Sequence, residues 1–201
     1  MQANYGICAE KSLFWPKTLA FLPFCVLLLG CEADSDDDVV APVAEVAEEP
    51  VTLDCGAHGF VSTELFGALA GKIDWDETDL ICEGMPRPDG DGARLRLAGS
   101  VDDYEIAFII ALPDLVPGAI GKELPSKVTV IEEGAGRFFS NADQDICWTD
   151  IEDMHPLNDA KTRFQATGSL YCVAPLIEIN GDSDITLGDF AFRGLLDWEA
   201  S

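Results

Sequence analysis

Six oxygen-bearing side chains, Glu178, Asn180, Asp182, Asp184, Thr186 and Asp189, occupy positions 1, 3, 5, 7, 9 and 12 of one twelve-residue stretch. A chain that curls through such a stretch can aim six or seven hard oxygens at one centre, which is the chemistry of calcium. The same residues have a simpler reading as a hairpin. Asn180-Gly181 is a turn dipeptide, both flanks alternate like strands, and acids carried on a turn are solvated. The histidines carry less: His58 lies in a glycine-flanked loop and His155 precedes Pro156, and neither has a close second histidine. The chain holds no G-x-S-x-G elbow, no Gly-rich phosphate loop and no dinucleotide fingerprint. With 37 Asp and Glu residues, any two carboxylates can be called an acid and base pair, so none is diagnostic. No feature specifies a reaction. The chain is therefore not expected to be an enzyme, and a hydrolase is the most distant alternative.

Length and charge narrow the classes further. The 201 residues suit one ordinary domain, and 48% hydrophobic with 9% aromatic residues is enough to build a core. Twelve Lys and Arg against 37 Asp and Glu give a formal charge of −25, which opposes binding to phosphate backbones, so no nucleic-acid partner is expected. The excess is general: from Val51 onward there are still 28 acidic against 10 basic residues.

The N-terminus reads as an address. Lys11 and Lys17 precede an apolar run from Thr18 to Leu29 that stops at Gly30, the pattern of a secretory signal peptide over residues 1–30. The run holds about a dozen residues where a membrane-spanning helix needs about 20. Leu28-Leu29-Gly30-Cys31 resembles the bacterial lipobox. That resemblance implies diacylglycerol on the Cys31 thiol, acyl chains that anchor the mature chain in a membrane, and cleavage just before it. Two or more chains give stable attachment, each buried methylene adding about 0.8 kcal/mol. Glu32, where the family uses aspartate for retention at the inner membrane, implies sorting to the outer membrane.

Residues 31–50 follow as a tether. After Cys31 they hold eight acidic residues, no basic ones and no aromatics, a composition that repels itself and extends. The domain is expected from 51 to 201. Cys8 and Cys25 leave with the signal peptide and Cys31 takes the lipid, so Cys55, Cys82, Cys147 and Cys172 remain. An even number in an exported domain reads as two disulfides with three possible connectivities. A hairpin through the turn-rich segment His155 to Lys161 places Cys147 opposite Cys172, which leaves Cys55 for Cys82. A four-cysteine zinc site would need a close C-x-x-C pair, and there is none.

The elements that must carry these residues read as strands. From Leu65 to Trp198, short runs with period-two alternation are bounded by Gly, Pro, Asn and Asp. Leu95 and Leu97 alternate with Arg94 and Arg96. Tyr104 to Leu112 is apolar on both faces toward its end, and Phe164, Ala166, Leu170 and Cys172 share one parity. Ile185 and Leu187 are odd while Phe190, Phe192, Leu196 and Trp198 are even, so the parity flips at Gly188-Asp189, where a one-residue bulge would restore a single core face. Phe60 to Ala70 has an alternative reading as a short helix. Seven or eight strands in about 150 residues predict an all-β antiparallel sandwich or small barrel.

Gly168 to Cys172 and Ile185 to Phe192 resemble the penultimate and final strands of small β domains carried by bacterial lipoproteins, a likeness that implies a fold and no activity. The Glu178 to Asp189 spacing resembles the calcium loop of EF-hand and dockerin modules, which implies a calcium-dependent binding domain as the alternative function. The main expectation is a lipid-anchored structural or interaction module of the cell envelope. Its partner would be the membrane together with an envelope protein or small ligand, and no cofactor is expected apart from calcium in the alternative.

Overall fold

A computed structural model describes residues 55, 57–89, 91–141 and 143–199. The expected signal peptide and tether, with Cys31, lie outside the described residues. Thirteen strands follow one another: β1 (Phe60–Gly67), β2 (Gly71–Trp75), β3 (Ile81–Pro86), β4 (Ala93–Val101), β5 (Tyr104–Leu112), β6 (Gly121–Pro125), β7 (Lys127–Glu132), β8 (Arg137–Ser140), β9 (Cys147–Pro156), β10 (Arg163–Cys172), β11 (Leu176–Glu178), β12 (Asp184–Leu187) and β13 (Phe190–Asp197). The described residues form no helix. Phe60 to Gly67 is a strand because Val61, Thr63 and Leu65 all bury toward one side, a period of two that no helix satisfies.

The fold is all-β and antiparallel, with strand order β3-β4-β5-β7-β8-β11-β12-β1-β13-β10-β9-β6 and β2 on the other edge of β1. The expected count of seven or eight strands is corrected to thirteen. Among the strands added are β6 and β11, with five and three residues, too few for an alternation to stand out in the sequence. The sheet is open, and it doubles back on itself so that β3 and β4 pack against β13. Gly84 marks the closest approach: a Cβ there would sit 2.1 Å from the Leu195 carbonyl oxygen, so only glycine fits.

Burial fills the space between the two layers. Phe108 from β5 meets Trp75 at 5.9 Å and Phe190 at 4.9 Å between ring centroids, and Phe190 meets Phe192 at 6.1 Å. The Trp75 indole N–H donates to the Ser100 carbonyl at 2.7 Å, so its one polar atom is satisfied inside the core. The parity flip has a direct structural cause. β12 and β13 both line β1, and the register slips by one residue between Ser62–Ala191 and Leu65–Leu187. Gly188 donates its N–H to the Glu64 carbonyl at 2.8 Å inside that bulge, and Ile185, Leu187, Phe190 and Phe192 are all buried.

Two disulfides staple this sheet. Cys147 and Cys172 stand directly opposite in the β9–β10 register. Cys55 and Cys82 join the segment before β1 to the edge strand β3.

Candidate functional site

The twelve-residue stretch Glu178 to Asp189 lies on a hairpin between β11 and β12. The Glu178 N–H donates to the Ser183 carbonyl at 2.9 Å, and Asn180 takes the left-handed conformation, φ 63°, that a tight turn asks of its asparagine. Arg137 on β8 reaches across and takes the carboxylate: Nε donates to Glu178 Oε1 at 2.9 Å and Nη2 to Ser183 Oγ at 2.9 Å. The Ser183 hydroxyl also donates to Glu178 Oε2. The guanidinium first, and the hydroxyl second, pull the Glu178 pKa down to about 2. Asn180 and Asp182 are exposed in the turn, Asp184 and Thr186 are exposed along β12, and Asp189 is exposed at the bulge beside β1. Among the described residues, no three His, Cys, Asp or Glu side chains are grouped to hold a metal ion.

His58 is exposed, and its backbone N–H is held by Glu77 Oε2 at 2.6 Å. His155 is exposed on β9 opposite Gln165. No nucleophile is hydrogen-bonded to either ring among the described residues.

What the sheet presents to solvent is more informative. An antiparallel sheet with one face on a core carries polar residues on the other, and the β3–β8 face does so at Glu83, Arg96, Thr129 and Ser140, but the neighbouring cross-strand row is apolar. Following the registers outward gives Ile81 opposite Ala98, Ala98 opposite Ala107, Ala107 opposite Ile131, and Ile131 opposite Phe138. The row ends at Ile179, whose N–H donates to the Phe138 carbonyl at 2.7 Å. Ile81 is 51% exposed, Phe138 41% and Ile179 50%, whereas Ala98 and Ala107 between them are buried, so the row opens to solvent at its two ends. Beside it, Ile177 and Ile179 form the floor of a groove of about 350 Å³, walled by Asn141, Asp143 and Gln144. Buried Asn141 fixes that wall by accepting the Val128 N–H at 2.6 Å and donating to Ser126 O at 3.0 Å. Arg96, paired with Glu133 and Glu83, borders the row.

The outer face of the other layer carries a second feature. Trp148 and Tyr171 are cross-strand partners on β9 and β10, with ring centroids 5.6 Å apart and planes 26° apart.

No family model, curated protein or solved structure matches this chain. The site therefore stands on its own geometry. Sequence reasoning singled out Glu178 and its neighbours, whose carboxylate turns out to belong to Arg137, and missed Phe138, Ile177, Ile179, Trp148 and Tyr171. Signals for these exist in the chain. Phe138-Phe139 puts an aromatic on each face of one short strand, and Trp148 and Tyr171 each sit beside a disulfide cysteine. The row from Ile81 to Ile179, by contrast, is assembled from six segments and needs the registers.

Proposed function

We propose that this chain is an exported interaction module, anchored in the cell envelope through lipid on Cys31 and held off the membrane by its acidic tether, in the outer membrane by the sorting residue Glu32. The observation that carries the reading is the group of exposed apolar side chains, Phe138, Ile177 and Ile179, at the end of the cross-strand row that begins at Ile81. Exposed apolar side chains grouped on β8 and β11 cost solubility unless something covers them, and such patches mark interaction surfaces. The groove beside Ile177 and Ile179 gives that surface a recess, and the charged pairs of Arg96 give it a polar border, the arrangement expected of a protein interface. Two disulfides support an oxidising compartment. The test is photo-crosslinking in whole cells from a reactive amino acid at position 138, with position 161 as the control. The reading expects a discrete crosslinked product from 138 and none from 161. Equal labelling from both positions, or none from 138, would remove the row as an interaction face.

A further inference from the structure

The stacked pair on the other layer has its own chemistry. Tyr171 is 43% exposed, Trp148 is partly exposed beneath it, and Pro125 on β6 is the residue opposite Trp148. Two stacked aromatic rings, with Pro125 next in register, thus run across β6, β9 and β10 on the solvent side, next to the Cys147–Cys172 disulfide that fixes the β9–β10 register. Two carboxylates stand beside them. The β6 register slips between Gly121 and Leu124, and Glu123 sits in that bulge with φ 52°. Left-handed backbone is unfavourable for a glutamate, and bulges re-aim side chains. Here the strained N–H is held by Asp150 Oδ1 at 2.7 Å. Asp150 shares one face of β9 with Trp148 and holds Glu123 beside it, and burial first, then the negative charges of Glu123 and Asp150, keep the Tyr171 phenol above its ordinary pKa.

We propose that Trp148 and Tyr171, rimmed by Glu123 and Asp150, form a docking platform for a guanidinium or ammonium group on a basic segment of a partner protein. Aromatic faces are negative, so they attract a cation and are indifferent to a neutral group. Guanidinium also stacks flat on such rings while donating to carboxylates at its edge. The rim excludes anions by charge, and the 28 acidic against 10 basic residues from Val51 onward steer basic partners toward the domain. Bulk charge alone would attract such a segment anywhere on the surface. The rings are what localise it here.

That difference is the basis of the test. The full chain, solubilised in a neutral polyoxyethylene detergent, is titrated with an acetylated, amidated pentaarginine peptide, with tetramethylammonium chloride and with maltotetraose. The readout is the indole N–H resonance of Trp148 and the dissociation constant. The peptide should shift that resonance, tetramethylammonium should shift it in the same direction at higher concentration, and the sugar should leave it in place. Trp148→Leu, which leaves the charge unchanged, should weaken peptide binding about fivefold, the size of one exposed cation–π contact of about 1 kcal/mol. Tyr171→Leu repeats that measurement should Trp148→Leu fail to fold, and Glu123→Gln, on the exposed rim, should weaken binding without altering the rings. Wild-type affinity in the folded ring variant would reduce the binding to bulk charge and overturn the proposal. A shift produced by maltotetraose in place of the cations would overturn it in favour of a saccharide.

Discussion

Arg137 holds Glu178 across the β8–β11 pair, with Nε 2.9 Å from Oε1 and Nη2 3.4 Å from Oε2, and the same guanidinium lies 5.0 Å from the centroid of the Phe139 ring. A cation that lies over a core phenylalanine and takes a turn carboxylate ties the β11–β12 turn to β8. Glu132 adds a second carboxylate at 3.3 Å.

The first prediction concerns acid stability. Glu178 has a folded pKa of about 2 against an ordinary 4.5, with Arg137 as the main cause. Because the folded value is the lower one, the ionised carboxylate stabilises the fold fully above about pH 4.5, and that contribution disappears as pH falls from 4.5 toward 2. Glu178→Gln should lower Tm at pH 7 and flatten the melting profile through that window. Parallel profiles for the two proteins between pH 4.5 and 2 would show that the pair is not coupled to folding.

The β1 strand carries a second prediction. Among the described residues, the Thr63 hydroxyl is the buried side-chain oxygen without a hydrogen-bond partner, on the core face between Val61 and Leu65. Leaving a hydroxyl unpaired in a core costs about 1–3 kcal/mol. Thr63→Val, which removes the hydroxyl and keeps the shape, should raise stability by about 1 kcal/mol, read as a Tm increase of about 2–4 °C for a domain of this size. Thr63→Ser should give no such gain, and a lower Tm for the valine variant would mean that the hydroxyl is satisfied.

How far the sequence could be read depended on the range of the information. The parity flip at Gly188-Asp189 is written in the eight residues from Ile185 to Phe192, and the bulge is where it points. The Cys147–Cys172 pairing needed only one hairpin. The short strands β6 and β11 were hidden because five and three residues show no clear period. Arg137 is 41 residues from Glu178, so nothing local shows that the first oxygen of the calcium-like spacing is already taken. The apolar row was the least legible feature, since Ile81, Ala98, Ala107, Ile131, Phe138 and Ile179 become neighbours only once five pairings are set in register.

Calcium supplies the third prediction. With Glu178 bonded to Arg137 and Ser183, Thr186 on the extended strand β12 and Asp189 at the bulge beyond it, 1 mM calcium should shift Tm no more than 1 mM magnesium does, both ions acting by screening a charge of −25. A dedicated site with a dissociation constant near 10 μM would instead add about 2.7 kcal/mol under the same conditions. A large shift specific to calcium and abolished by Asp182→Ala would replace the hairpin reading with the loop reading.

The most direct measurement is the fractionation of cells expressing the full chain and its Cys31→Ser variant, followed by salt and detergent extraction of the membrane pellet. Anchoring by acyl chains predicts that the natural chain sediments with membranes, resists salt and is released by detergent, while Cys31→Ser moves to the soluble envelope fraction. A variant that still sediments with the membranes and still requires detergent for release would contradict lipid anchoring through Cys31, and with it the placement of this domain on the envelope.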